Sequence, residues 1–414
     1  MLAIGLMSGT SMDGVDASIM NTNGIDDINI IANHSIAYSK EFRTLLKAAE
    51  YSCKKHNGDI AKCHITFKND LIDFLNIEVA LSKEQINNFL NSYFIPLVDV
   101  IHQSTLYHLQ VINELLSQAN INNTDIAVIG YHGQTLFHSP KMKLSIAIGE
   151  PQFLANQLDT QVIFNFRQND LISGGRGAPL VPIYHQAMAS KSTTYPIALI
   201  NCGGITNTTI INAKESIIAY DIGPGACLLD RLIAKRTKNS KIMDFNGEIA
   251  SQGIENIDIL QKLFNHSMVS NQQNFLNPSL KALDVNDFCL IPELNEITLE
   301  DACRNLIIFT AQTIIASFKA QNIIPCTLIL AGGGWNNPVL VAELKRRWQQ
   351  EISSSTIFLF SNDLGFNSQY VESQAFGYMA VRRIKSLPIS FPTTTGVIAP
   401  TIGGDIFNPS LDLI

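Results

Sequence analysis

Two apolar runs that end in a glycine turn and restart as strands limit the fold more than any other feature: "LAIGLMSGTSMDGVDASIM" (2–20) and "PIALINCGGITNTTIIN" (196–212). In the first, residues 2–7 are apolar, "SGTSMDG" turns, and Val15, Ala17 and Ile19 then alternate with Asp16, Ser18 and Met20. A period of two on either side of a glycine turn reads as a β-hairpin. The second run has the same form. At 414 residues the chain exceeds one ordinary core, so two domains are expected. The recurring hairpin predicts two related α/β domains that face each other across a cleft. No close sequence repeat accompanies it, so the duplication is read from element order.

The remaining elements follow the same logic. Residues 28–38 would add a third strand, and 40–120 is mostly helical, as in "LYHLQVINELLSQA" (106–119). Buried strands are expected in "DIAVIGYHGQT" (125–135) and "TQVIFNF" (160–166), with "STTYP" (192–196) as the domain connection. After it come "SIIAYDIGPGACLLDRLI" (216–233), a long helix over about 299–320, "CTLILAGGGWNNPVLVAELKRRW" (326–348) and a last helix, "VESQAFGYMAVRRI" (371–384). The expected domains are 1–192 with 385–414, and 193–384.

Composition excludes several classes. With 46% apolar and 16% charged residues the chain is neither disordered nor fibrous. A net charge of −7 argues against nucleic acid or an anionic membrane as a partner. The most apolar stretch, "NLIIFTAQTIIASF" (305–318), is broken by Thr310, Gln312, Thr313 and Ser317 and is short of a span. The start lacks the basic region and cleavage site of a signal peptide. Seven scattered cysteines read as reduced thiols, and the expected compartment is the cytoplasm. Cys53, His56, Cys63 and His64 are zinc-ligand types, but their spacing fits no common finger, and a lysine-rich loop between helices is expected instead.

Four glycine turns follow strands: "MSGTSMDG", "NCGGITN", "DIGPG" and "AGGGWNN". Glycines there let backbone N–H groups approach phosphate oxygens, and a helix starting beyond adds its dipole. Together they point to nucleotide binding. The candidates are Gly9, Thr10, Ser11, Met12, Asp13, Gly14, Val15 and Asp16 in the first turn, Gly203 and Gly204 in the second, Gly223 and Gly225 in the third, and Gly332, Gly333, Gly334 and Asn337 in the fourth. Asp13, Asp16 and Asp221 are the metal-side carboxylates, since Mg²⁺ takes one or two carboxylates beside phosphate oxygens. Turn-stabilising aspartates are the alternative for each. "NFRQNDLISGGRGAPLVP" (165–182) offers Asp170 as general base and Arg167 and Arg176 as anion binders, unless they form only a structural ion pair. "GYHGQTLFHSP" (130–140) places His132 and Gln134 at a strand end, where substrate contacts often lie; a satisfied buried histidine is the other reading.

In order, "GLMSGTSMDGVD", "GYHGQT", "FRQNDLISGGRGAPLVP", "NCGGITN", "YDIGPG", "AGGGWNNP" and "VESQAFGYMA" resemble the motifs of the anhydro-N-acetylmuramic acid kinases, of the actin/Hsp70/sugar-kinase superfamily. The resemblance runs from residue 5 to about 380. It implies two ribonuclease-H-like (actin-like ATPase) domains around MgATP and an amino sugar, the two hairpins holding phosphates and "AGGGWNN" the adenosine. The implied reaction opens 1,6-anhydro-N-acetylmuramic acid with water and phosphorylates O6, giving N-acetylmuramic acid 6-phosphate and ADP. Asp170 matches the family's catalytic base, and Glu372 matches a glutamate near the sugar. The resemblance leaves a homodimer open.

The chain departs from the family pattern at Asn165 (usually Asp), at Ile222 and Ala226, and in "LKALDVNDF" (280–288), which keeps Lys281 and Phe288. Segments in 40–110 and near the C-terminus read as insertions. The alternatives are a kinase of the same fold for another sugar, and a non-catalytic nucleotide-binding protein. A dinucleotide-dependent dehydrogenase is disfavoured, because no G-x-G-x-x-G follows a strand.

Overall fold

The computed structural model describes residues 1–9, 11–190, 192–213, 216–266, 283 and 285–410; Thr10 and Lys281 lie outside the described residues. The chain forms two compact units, 1–188 with 370–414, and 189–369.

The first unit opens on the expected hairpin, β1 (Leu2–Ser8) and β2 (Gly14–Thr22), followed by β3 (Ile28–Ala37). Four helices come next: α1 (Lys40–Lys55), α2 (Ile60–Ile77), α3 (Lys83–Tyr93) and α4 (Leu97–Ala119). Then follow β4 (Val128–Ser139), β5 (Leu144–Ile148), α5 (Pro151–Leu158), β6 (Val162–Phe164), α6 (Phe166–Ile172) and α7 (Pro182–Met188). The second unit holds β7 (Ile197–Cys202), β8 (Ile205–Ala213), β9 (Ser216–Pro224), α8 (Cys227–Arg236), α9 (Ile257–His266), α10 (Leu299–Gln321), β10 (Thr327–Ala331), α11 (Pro338–Glu351) and β11 (Ile357–Phe360). The chain returns to the first unit with α12 (Val371–Ile384) and β12 (Asp405–Phe407).

Both sheets are built alike. One runs β3-β2-β1-β4-β6, extended by β12 and by β5 on β4; the other runs β9-β8-β7-β10-β11. In each, the first three strands are antiparallel neighbours and the next two join in parallel. The duplication inferred from two hairpins is therefore present as a shared strand order, and the fold is the expected α/β ribonuclease-H-like one, twice.

Helix α12 corrects the expected division of the chain. Its position in the sequence, after that domain's elements, places it with the second domain. In the structure it packs on β1, β2 and β4. Glycines allow this: a Cβ on Gly5 would lie 1.8 Å from the Ser373 carbonyl oxygen, and one on Gly130 would lie 2.0 Å from that of Phe376. The helix backbone thus rests directly on the two central strands, which no larger residue permits.

The segment read as a lysine-rich loop is also different. Cys53 and Cys63 are buried inside α1 and α2 with their sulfurs 3.8 Å apart, and His64 is exposed. His56 turns instead to Asp70, which accepts from Ser52 Oγ (2.7 Å), Lys55 Nζ (2.7 Å), Thr66 Oγ1 (2.6 Å) and His56 Nε2 (3.0 Å). Burial alone would raise the Asp70 carboxyl, but these donors outweigh it and hold the pKa at about 2. Because the folded value lies below the unfolded one, the stabilisation is complete above pH ~4 and is lost as the pH falls towards ~2. Asp70→Asn is expected to remove roughly 2 kcal/mol at pH 7 and to flatten the acid limb of a chemical-denaturation profile over that window.

In the second unit, α10 is buried along most of its length, and two of its hydroxyl side chains are spent inward. Thr310 donates to the Gly225 carbonyl (3.1 Å) and Ser317 to the Tyr220 hydroxyl (3.1 Å). No described helix is long and apolar enough to cross a membrane.

Candidate active site

The "GGRG" turn after α6 is organised around Asp170. Its carboxylate is fully buried; Oδ1 accepts the Gly177 N–H (2.6 Å) and Oδ2 the Thr395 hydroxyl (2.6 Å). A Cβ on Gly175 would lie 2.1 Å from Oδ1, so the turn closes on the carboxylate only because that residue is glycine. Arg176 is tied to the same loop: its Nη2 donates to the Thr394 carbonyl (3.0 Å) and its backbone N–H to that of Thr395 (2.9 Å). Thr394 and Thr395 were missed in the sequence. The signal available was the "TTTG" run (393–396), whose partner lies far away along the chain. Asn165 is held in the left-handed region (φ 61°) and donates to Asp405 (2.8 Å), as does Asn169 (3.1 Å). An aspartate at 165 would set two carboxylates against each other here.

Arg167 and His132 are joined. The guanidinium Nε donates to His132 Nε2 (3.0 Å) and Nη1 to the Gly177 carbonyl (3.0 Å). A guanidinium only donates, so Nε2 accepts, and the ring proton sits on Nδ1, which donates to the Gly133 carbonyl (2.7 Å). Burial, and next the Arg167 charge, push the His132 pKa well below its ordinary value. Both ring nitrogens are therefore used in a neutral imidazole that orients Arg167. The expectation of a direct sugar contact through those nitrogens is corrected. Glu372 stands in the first turn of α12 at an exposed position, within the field of the Arg167 charge.

Gln134 is likewise a brace. It is buried; Oε1 accepts the Ser8 hydroxyl (2.6 Å) and Nε2 donates to the Gly9 carbonyl (3.1 Å), so β4 clamps the first hairpin turn. Within that turn Met12 (φ 54°) and Val15 are core side chains, which leaves them only backbone for a ligand. Gly14 serves strand pairing, since its Cβ would lie 2.1 Å from the Ile36 carbonyl oxygen, whereas at Gly9 the nearest atom would be Ser11 Oγ at 3.9 Å. Asp13 is 65% exposed and paired with Arg43 (2.6 Å), whose Nη2 also holds the Ser11 carbonyl (3.0 Å).

The second unit contains a cavity of about 380 Å³. Gly203, Gly204, Gly225, Gly333, Gly334 and Asn337 line it; Gly223 and Gly332 do not. The two turns interlock: the Gly225 N–H donates to the Gly204 carbonyl (2.9 Å) and that of Ala226 to Gly203 (2.8 Å). A Cβ on Gly225 would fall 2.2 Å from the Gly203 oxygen. Gly332 (φ 94°) turns the fourth loop, and Asn337 caps α11, its Oδ1 accepting the Val339 N–H (3.0 Å) and its Nδ2 reaching Asp244 (3.3 Å). Apolar Leu229, Leu306, Ile307 and Leu340 form the far wall. Asp230, also lining it, has its pKa pushed up to about 6 by burial and next by Asp244.

The family model for anhydro-N-acetylmuramic acid kinase matches residues 93–409. Proteins described as anhydro-N-acetylmuramic acid kinase are similar along the whole length. The one from Zymomonas mobilis is 34% identical over 411 residues, covering 98% of this chain and 99% of its own. The one from Pelagibacter ubique is 32% identical over 410 residues, covering 97% of each. This chain belongs to the anhydro-N-acetylmuramic acid kinase family. Among solved structures, the activator of the 2-hydroxyisocaproyl-CoA dehydratase from Clostridium difficile with bound ADPNP is a distant likeness (12% identity, TM-score 0.42, covering 93% of this chain and 96% of that one).

An anhydro-N-acetylmuramic acid kinase is an enzyme that transfers a phosphoryl group to a sugar hydroxyl, with ATP as donor. The reading of this chain as a non-catalytic binding protein is thereby set aside. As to a metal, Asp16 on β2 and Asp221 on β9 are half-buried carboxylates of the kind Mg²⁺ takes beside phosphate oxygens. Asp221 Oδ2 accepts the Leu283 N–H (2.8 Å). Asp13, tied to Arg43, fits that role poorly.

Proposed function

We propose that this kinase opens 1,6-anhydro-N-acetylmuramic acid with water and phosphorylates O6, giving N-acetylmuramic acid 6-phosphate and ADP. The observation that carries the reading is the fixed Asp170 carboxylate, held between the Gly177 N–H and the Thr395 hydroxyl. Two oxygens offer about four acceptor positions, so two bonds leave room for a water proton. Asp170 takes that proton as the water oxygen bonds to the anomeric carbon; the bond from that carbon to O6 breaks, O6 bonds to the γ-phosphorus, and ADP leaves.

Arg167, fixed by His132 and the Gly177 carbonyl, holds positive charge beside Glu372 and orients the sugar side. The backbone donors of the glycine loops receive phosphate oxygens, as charge developing on a transferring phosphoryl requires. Asp16 in the first unit and Asp221 in the second are each carboxylates of the type that would take Mg²⁺, which would supply further neutralisation of that charge. ATP and a recycled cell-wall sugar as substrates fit a cytoplasmic enzyme.

The test is a short reaction in ¹⁸O water followed by mass spectrometry of the sugar phosphate. One ¹⁸O on the anomeric carbon, with one ADP per product, is expected; authentic N-acetylmuramic acid 6-phosphate incubated alongside measures spontaneous exchange. Product with no label beyond that exchange would reject hydrolytic opening. ADP release with another anhydro sugar and none with this one would favour the different-sugar kinase.

A further inference from the structure

The segment that follows α8 leaves Ile242, Met243 and Phe245 64%, 51% and 66% exposed, an unusual density of large apolar side chains in water. The exposure is imposed rather than loose. Asp244, between them, is buried and accepts the N–H groups of Ile249 (2.8 Å) and Ala250 (3.2 Å) and the Asn337 amide (3.3 Å). Gly247 (φ 71°) donates its N–H back to the Asp244 carbonyl (3.2 Å). With the central side chain pulled inward, its neighbours on either side are turned outward.

Met243 and Phe245 line the same cavity as the glycine loops, together with Leu229, Leu306, Ile307 and Leu340. One part of that cavity is glycine backbone without Cβ atoms, open to close approach, and the other presents hydrocarbon. A triphosphate fits the first, and a flat heteroaromatic ring fits the second. We propose that Phe245, with Met243 beside it, is the stacking wall for the purine base of the nucleotide, and that Asp244 is the positioning residue that presents it. The proposal rests on the reading that the chain binds ATP at this cavity. Every base has a π-face, so the wall supplies affinity without choosing between adenine and guanine.

The experiment is calorimetric titration of the full chain, parent and variants, with ATP and separately with inorganic tripolyphosphate. Phe245→Ala is expected to weaken ATP roughly tenfold and leave tripolyphosphate within about twofold, while Phe245→Trp retains ATP affinity. GTP is expected to lose affinity in parallel with ATP. Met243→Ala, at a second exposed position, is expected to weaken ATP by a smaller factor. ATP affinity of Phe245→Ala within twofold of the parent would overturn the proposal, as would an equal loss of ATP and tripolyphosphate. A parent that binds tripolyphosphate with the same affinity as ATP would overturn it as well. A parent that binds neither would overturn the ATP reading itself and the wall with it.

Discussion

Asp170→Asn is expected to lower turnover by about 10²- to 10⁴-fold while the protein stays folded. The amide keeps the size of the carboxylate, and its oxygen still accepts the Gly177 N–H. Its NH₂ meets the Thr395 hydroxyl, which can rotate and accept instead of donating. What is lost is the ability to take a proton. Steady-state ADP release and a thermal melt on the same preparation separate the two effects. Turnover within tenfold of the parent would remove Asp170 from the chemistry. Thr395→Val probes the same group from the other side: it removes one donor to the carboxylate, and a fall in kcat with the melting temperature unchanged would mark positioning rather than packing.

Gly5→Ala is expected to be among the most destabilising single-methyl changes in this chain. The added carbon would lie 1.8 Å from the Ser373 carbonyl oxygen and 2.4 Å from the Gly377 nitrogen, both backbone atoms that no rotamer change can move. The helix must lift off the central strands, at a cost of about 3 kcal/mol or more. Because α12 carries Glu372, activity should fall with stability. Gly130→Ala, facing the Phe376 carbonyl at 2.0 Å, should behave alike. Gly333→Ala, where a Cβ would meet nothing within 4 Å, is the control that should leave the denaturant midpoint unchanged. Equal midpoints for Gly5→Ala and Gly333→Ala would refute the close-packed account of α12.

Much of the site was legible because it is written in local chemistry. Gly203, Gly204, Gly225, Gly333 and Gly334 were read from strand–turn patterns, and all five line the cavity. Other residues were recognised but given the wrong task. Gln134 and His132 stand at a strand end as ligand contacts often do, yet every polar atom of their side chains is spent on Ser8, Gly9, Arg167 or Gly133. A sequence shows that a side chain can bond, not which partner the fold brings within 3 Å. Asp244 and Phe245 carried no motif at all, and only the burial of one and the exposure of the other distinguishes them.

The sequence by itself determined the two hairpins, the α/β class, the duplicated order and the glycine turns. These depend on hydrophobic period and on backbone angles, which neighbours along the chain decide. Only the tertiary structure decided that α12 belongs with the first unit and that Thr395 completes the Asp170 cradle. The same holds for the anchoring of the strap at 242–246 by a buried carboxylate. Each of these is a contact between residues far apart in the chain, selected by which surfaces can close without a void, a clash or an unpaired polar group.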